Sequence, residues 1–365
     1  MSNKIALLKK YLFGFLVMLT VTLSYGQAAR KYSNEFLNIG VDAASLGMSN
    51  AVVALSSNVN AGYWNPAGLV TLENKQLALM HAAYFANIAN YDYGAFALPL
   101  DENNTVAFSL IRFGVDDILD TTQLLDADGN VDYNRINLFS TADYAFTMSY
   151  AHATRIDGLR YGVNGKVIRR IIGDFASSWG FGFDAGIQYT RNTWHFGLHA
   201  RDITTTVNAW SFENDAIERI RQATPVDGQN QDLPEKQEIT LPKVQVGIAK
   251  EFTLGSKFGL QTEADLIVRF VETNDIISHS GWSASPAAGF QLDFSNIVFL
   301  RGGVGNFQNI EQFDGSKELG LQPNFGVGFQ YKGIAIDYAL TDIGDQSAAV
   351  YSNIFSLTID WELFQ

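Results

Sequence analysis

Apolar and polar residues alternate along most of this chain with a period of two, over stretches long enough to count. In the final stretch Phe355, Leu357, Ile359, Trp361 and Leu363 alternate with Ser356, Thr358, Asp360 and Glu362. An extended strand with that spacing has one apolar, aromatic face and one polar face. The same split separates Trp179, Phe181, Phe183, Ala185, Ile187 and Tyr189 from Gly180, Gly182, Asp184, Gly186 and Gln188. It recurs from Leu260 to Phe270, where Gln261, Glu263, Asp265 and Arg269 fall on the polar side. Soluble strands average about five or six residues, whereas tilted strands crossing a bilayer need roughly 9–11.

The pattern predicts fourteen strands, near 75–85, 90–99, 105–113, 142–153, 160–171, 178–191, 194–201, 242–251, 257–270, 283–294, 297–304, 323–331, 334–341 and 353–364. Their connections sort by length. Short turns at Leu100–Asn104, Thr154–Leu159, Asn192–Thr193, Phe252–Ser256, Ser295–Asn296 and Lys332–Gly333 fall on one side. The long connections 114–141, 202–241, 271–282, 305–322 and 342–352 fall on the other, and two further connections there, 86–89 and 172–177, are short. Short periplasmic turns alternating with longer outer loops belong to an antiparallel transmembrane β-barrel with its C-terminus in the periplasm. A secreted β-sandwich would also alternate, but with shorter strands and fewer outward aromatics. The chain shows no 20–50-residue repeat of the kind that marks a solenoid or propeller.

Composition sharpens this all-β reading. Charged residues make up 17% and aromatics 13%, with 32 glycines, yet beyond the leader no run is apolar for the ~18 residues of a spanning helix. Lys4, Lys9 and Lys10 precede an apolar stretch from Tyr11 to Leu23, then small residues at Ser24 and Gly26. That order predicts a signal peptide over 1–26, cleaved before Gln27, rather than an uncleaved anchor. Export and an apolar exterior point to the outer membrane of a Gram-negative bacterium. Cleavage removes three lysines and no acid, taking the net charge from −13 to −16. Such acidity argues against a nucleic-acid partner, because phosphate binding needs clustered cations. With no cysteine, disulfides, thiol nucleophiles and a lipidated N-terminal cysteine are excluded.

Residues 27–74 precede the first strand. The part from Ala51–Leu55 through Tyr63, Trp64 and Asn65 is too apolar for a free periplasmic tail and predicts a plug inside the barrel, a lumenal hatch. Candidate chemistry is otherwise sparse. The glycine-rich run Gly180-Phe181-Gly182 sits inside an alternating strand, not at the strand-to-helix turn where such a motif holds phosphate. His195 and His199 have helical ligand spacing but lie on a strand. Asp126, Asp128 and Asp132 surround Gly129 with oxygen ligands at alternate positions, a candidate calcium loop, although position one of a full loop would be Leu124. The bland reading is an acidic turn in an outer loop. Trp210 to Glu238 is polar and acidic, with Pro225 and Pro234, and reads as a surface loop that a partner could use. No nucleophile with an adjacent base stands out, and no cofactor site is expected.

Several ordered motifs then point to a family. Leu37-Asn38-Ile39-Gly40-Val41-Asp42-Ala43, Gly47-Met48 and Tyr63-Trp64-Asn65-Pro66-Ala67-Gly68-Leu69 resemble the N-terminal hatch of the long-chain fatty-acid transporter superfamily. Asp116-Asp117-Ile118 with Asp120-Thr121, Asp143-Tyr144-Ala145-Phe146, Gly162-Val163-Asn164-Gly165-Lys166, Arg201-Asp202-Ile203-Thr204 and Asp337-Tyr338-Ala339 with Thr341-Asp342 resemble the PorV/PorQ branch of Bacteroidetes. The chain end, from Trp361 to Gln365, resembles the aromatic last strand read by outer-membrane assembly machinery. The resemblance implies a fourteen-stranded barrel over 75–365, a hatch containing Asn65, Pro66 and Ala67, and a non-enzymatic accessory role in type IX protein secretion, binding translocon or cargo. The wider superfamily implies a transporter of hydrophobic small molecules instead, and an accessory subunit of another complex, such as barrel-assembly machinery, is a further alternative. An apolar pocket would favour transport. The inner faces read here carry Lys166, Asp184, Glu263, Asp265, Arg269, Asp337, Asp360 and Glu362, which favours the accessory role.

Overall fold

A computed structural model of the chain describes residues 33–85, 88–124, 130–214, 236–312, 315–341 and 351–361. The expected signal peptide, Asp126, Asp128 and Glu362 lie outside these residues.

The strands in chain order are β1 (Gln76–Tyr84), β2 (Ala89–Asp101), β3 (Asn104–Asp120), β4 (Asn137–Ala153), β5 (Leu159–Ile172) and β6 (Ala176–Arg191). Then come β7 (Trp194–Arg201), β8 (Thr206–Phe212), β9 (Gln237–Thr240), β10 (Lys243–Leu254), β11 (Phe258–Arg269) and β12 (Ile277–His279). The last five are β13 (Trp282–Phe294), β14 (Val298–Glu311), β15 (Lys317–Tyr331), β16 (Ile334–Thr341) and β17 (Ser352–Asp360). The pairing is antiparallel throughout, with β7 beside β10 and β11 beside β13, and β1 pairs with both β2 and β17, so the sheet closes on itself. Setting aside the short β8, β9 and β12 in the outer connections, fourteen strands form the wall. Closure leaves no open sheet edge, which is what lets strands cross hydrocarbon with every backbone group paired.

The period-two pattern explains which side chain faces where. On β6, Trp179, Phe181 and Phe183 are 52–60% exposed, whereas Ser178 and Asp184 are at most 4% exposed. The outward face is thus a continuous apolar wall suited to lipid, and the polar residues turn inward. Aromatic side chains gather at the short-turn end, where Trp194, Phe252, Phe258, Phe294 and Tyr331 all point outward and Lys250 Nζ lies 4.7 Å from the Trp194 ring. Such girdles sit at the membrane–water boundary.

The fourteen expected strands are all present, but the expected loops are partly strand. β3 and β4 run on to Asp120 and back from Asn137, across a bulge at Asp116–Asp117. The connection read as a loop over 202–241 contains the β8–β9 hairpin, which extends the wall upward. β6 pairs with β7 along Ala185–Arg191 and with β8 along Ala176–Phe181. Between them residues 202–205 step off the ladder, with Asp202 and Thr205 at φ 53 and 58. Polar composition hid these strands, because outside the bilayer neither face of a strand has to be apolar.

Candidate functional site

Residues 33–74 lie inside the barrel as four short helical turns, Glu35–Asn38, Ala43–Gly47, Ala61–Trp64 and Pro66–Thr71, joined by loops. None is long enough to be stable alone, so the wall must hold the segment's shape. Local caps help. Asp42 accepts from Ser45 N at 3.3 Å and Ser45 Oγ at 2.9 Å, and Ser356 on β17 donates to its other oxygen at 3.1 Å. Tyr63 and Trp64 pack edge to face at 4.8 Å, donating to Leu37 O and Val41 O at 2.6 and 3.1 Å.

Asn65, Pro66 and Ala67 sit together at the centre of this segment. Asn65 is wholly buried. Its amide nitrogen donates to Val53 O at 2.9 Å and to Ile187 O of β6 at 3.1 Å, and its oxygen caps the next turn through Ala67 N at 3.2 Å. Pro66 opens that turn, a position where the missing N–H costs nothing. The wall opposite carries glycines: a Cβ at Gly186 would overlap Asn65, and one at Gly197 would overlap the Val53 backbone. Only glycine permits so close an approach.

The inner wall has two different sides. On the β5–β11 side the polar residues grip the segment's backbone. Asp265 accepts from Val52 N and Val53 N at 3.1 and 3.3 Å, and Glu263 accepts from Ala54 N and Leu55 N at 2.6 and 3.1 Å. Gln188 donates to Val53 O and Ser56 O, Asn164 to Gly62 O, and Arg201 to Leu37 O while lying 4.5 Å from the Tyr63 ring. Lys166 is buried between Asp184 and Asp202 at 2.8 and 2.7 Å. Around the barrel, Arg301 pairs with Asp337 at 2.6 Å. The inward charges foreseen at Lys166, Asp184, Glu263, Asp265 and Asp337 are therefore engaged in ion pairs and in holding the segment; they do not line an open aqueous lumen.

On the β1–β3 side the inner face is apolar: Ala78, Met80, Ala82, Tyr84, Tyr91, Tyr93, Ala95 and Ile111 are buried against Phe36, Leu37, Val41 and Leu69 of the segment. The charged positions dominated the sequence reading and this side was missed. Its signal was present in alternate residues Tyr91, Tyr93, Ala95 and Ala97.

Above the segment, at the outer ends of the strands, lies a cavity of about 560 Å3. Phe36, Ile39, Leu46, Tyr84, Phe85 and Phe113 form its apolar side. The opposite side carries Asn50, Arg269, Asn306, Gln308, Gln322 and Asn324. The apolar side continues downward into the β1–β3 face, because Tyr84 contacts Tyr91 at 6.3 Å between ring centroids and Tyr91 contacts Phe113 at 6.1 Å.

Next to the cavity the wall is not a simple ladder. β13 and β14 pair only from Ala288–Val304 downward, and Pro286, which cannot donate to a ladder, stands just above. The outer loop dips into the gap as a V. One arm pairs with β14, through Ile276 N to Phe307 O at 2.9 Å and Asn309 N to Asn274 O at 2.8 Å, and the other is β12, paired with β13. Asp275 pins the wedge, accepting from Arg269 at 2.7 Å, Thr273 at 2.7 Å and Ser283 at 3.1 Å.

The histidines and the calcium candidate resolve less. His199 is buried on β7, while His195 lies between Thr190 Oγ1 at 3.2 Å and Glu251 at 3.5 Å. Asp132 is taken up by Asn134 N at 3.1 Å and Arg135 at 3.3 Å. No group of three metal-ligating side chains occurs among the described residues.

No family model and no curated protein sequence matches the chain. Solved structures do. The toluene transporter TodX of P. putida aligns with 88% of this chain and 98% of its own at a TM-score of 0.54 and 11% identity. The monoaromatic hydrocarbon channel CymD aligns over 88% and 98% with a TM-score of 0.52 and 12% identity. The Ralstonia pickettii toluene transporter TbuX matches over the same shares at 0.50 and 11%. At such identity the likeness is one of fold: the chain shares the closed barrel of outer-membrane hydrocarbon transporters.

Proposed function

We propose that this protein is an outer-membrane channel for hydrophobic small molecules, with residues 27–74 acting as its hatch and Asn65, Pro66 and Ala67 as the hatch's anchor. The observation that carries this reading is the apolar track: the outer cavity's aromatic side runs without interruption into the apolar inner face of β1–β3. A hydrophobic solute entering the cavity meets mostly carbon along that side, with the Tyr91 and Tyr93 hydroxyls among it, whereas the β5–β11 side presents charged and amide groups, most of them bonded to the segment or to one another. Parting an apolar contact costs free energy in proportion to area, about 25 cal/mol per Å2, and on this side the bonds that would break with it include Asp42 N to Met80 Sδ and Val59 N to Gln76 Oε1. The fold shared with toluene transporters supports the same reading. The test is uptake of radiolabelled toluene by proteoliposomes containing the purified protein; a rate equal to that of protein-free liposomes would overturn it.

A second reading, an accessory protein of type IX secretion or of another outer-membrane complex, is favoured by a different observation. The β3–β4 hairpin projects past the wall carrying the PorV-like Asp116-Asp117-Ile118 motif, and its cross-strand pair Leu119 and Leu138, with Tyr133, is 60–74% exposed. Exposed apolar side chains on an outer hairpin suit a protein partner. Affinity purification from native membranes of a Bacteroidetes-type host separates the readings: a co-purifying secretion or assembly subunit lost on Leu119→Asp supports the second, and recovery of the barrel alone counts against it.

A further inference from the structure

The short-turn end of the wall is charged unevenly. On β6, β7, β10 and β11 the outward positions carry only two charged side chains, Arg191 and Lys250. Strand register sets them on either side of one indole: Trp194 of β7 lies opposite Arg191 on β6 and opposite Lys250 on β10. With neighbouring strands about 4.8 Å apart, the two cations are anchored about 10 Å from each other and flank the ring. The Lys250 ammonium rests on two aromatic faces, 4.7 Å from the Trp194 centroid and 4.9 Å from that of Phe252. Among the described residues neither cation forms an ion pair. The acid beside Lys250 in sequence, Glu251, turns inward to His195 at 3.5 Å and Gln261 at 2.9 Å. Across the barrel the β2–β3 end is acidic instead, with Asp101 and Glu102 both exposed.

Aromatic rings alone suffice for a girdle. A cation on the lipid face is costly in hydrocarbon and is tolerated near the headgroups, where, without an acid of its own, it attracts phosphate. The short turns face the periplasm, and the leaflet on that side is phospholipid. Above the two cations, Phe196, Leu198, Val246 and Ile248 are outward and exposed, a strip of carbon for acyl chains. A zwitterionic headgroup brings its own ammonium, which the second cation repels; an anionic headgroup brings none and satisfies both. We infer that Arg191, Trp194 and Lys250 form a binding site for an anionic phospholipid of the phosphatidylglycerol class, its phosphate between the two cations and its acyl chains along Phe196 and Ile248. Such a site is independent of what passes through the lumen.

The test is native mass spectrometry of the full mature barrel in a non-ionic detergent, titrated with phosphatidylglycerol or with phosphatidylethanolamine of the same acyl chains. The first phosphatidylglycerol is expected to bind roughly tenfold more tightly than the first phosphatidylethanolamine, the scale of one to two favourable cation contacts. The double variant Arg191→Gln/Lys250→Gln is expected to bring phosphatidylglycerol down to the phosphatidylethanolamine level and to leave phosphatidylethanolamine unchanged. Lys250→Arg is expected to keep the preference. So is Lys332→Gln, which removes the cation 5.4 Å from the Tyr331 ring elsewhere on the same end. Heat-modifiable gel mobility verifies that each variant is folded. Equal affinity of the parent for the two lipids overturns the inference, and so does a preference that survives the double variant or falls equally with Lys332→Gln. Glycerol phosphate, the headgroup without acyl chains, is expected to form no stable adduct; one as stable as the lipid's would overturn the lipid assignment. Proteoliposome uptake of toluene is read separately, so none of these outcomes bears on the channel reading.

Discussion

The two sides of the lumen hold the same segment by opposite means. Along β5–β11, Glu263, Asp265, Gln188 and Asn164 form directional bonds to its backbone, so a shift of an ångström breaks several at once. Along β1–β3 the segment's backbone donates to Met80 Sδ and Gln76 Oε1, but Tyr91, Tyr93 and Ile111 offer mostly surface, and surface tolerates sliding. The polar side therefore sets where the segment sits, and the apolar side is where it is able to part from the wall. A buried charge network makes a rigid half and an apolar contact makes a yielding one; the difference follows from how steeply each energy depends on geometry.

The largest test of that contrast removes a charge from the rigid half. Lys166→Met leaves Asp184 and Asp202 buried without their cation, a loss of about 3–5 kcal/mol. The expected outcome is a sharp fall in the urea midpoint of the folded band on heat-modifiable gels. Next, Glu263→Ala with Asp265→Ala orphans four backbone N–H groups at about 1 kcal/mol each. The barrel stays closed but its segment loosens, so planar-bilayer recordings are expected to show ion conductance absent in the parent. An unchanged, silent barrel would mean the polar side does not set the segment's position.

A smaller, local effect is expected from Asp275→Ala. The wedge loses three hydrogen bonds, about 1–2 kcal/mol after water replaces some of them, while the ladders on either side remain. Limited proteolysis within 270–281 is expected to accelerate without a change in the urea midpoint. The smallest effect belongs to the yielding half. The Tyr91 and Tyr93 hydroxyls are buried with no hydrogen-bond partner in the structure, so Tyr91→Phe is expected to leave stability within about 0.5 kcal/mol or raise it slightly. A loss of more than about 2 kcal/mol would show that this side, too, is held by specific bonds.

Most of the wall was legible beforehand because a bilayer imposes one rule on every residue: outward is apolar. Trp179, Phe181 and Phe183 announce a lipid face without reference to any distant residue, and strand lengths and turn lengths follow from membrane thickness. The β8–β9 hairpin and the upper parts of β3, β4, β14 and β15 lie beyond that rule and read as loops. The inward charges were also legible as residues, yet their purpose was not. Glu263 and Asp265 look like the lining of a wet lumen until the backbone N–H groups of Val52 to Leu55, more than 200 positions away in sequence, are seen to occupy them.

The sequence by itself determined the strands, their inside-out alternation and the apolar character of the segment before them, since these depend on local spacing and on the solvent each face meets. Only the tertiary structure decided that the segment lies between a gripping side and a yielding one, that Asn65 reaches the β6 backbone, and that an outer loop folds into the seam beside the cavity. Those arrangements rest on contacts between residues far apart along the chain, and which distant groups meet is settled when the barrel closes.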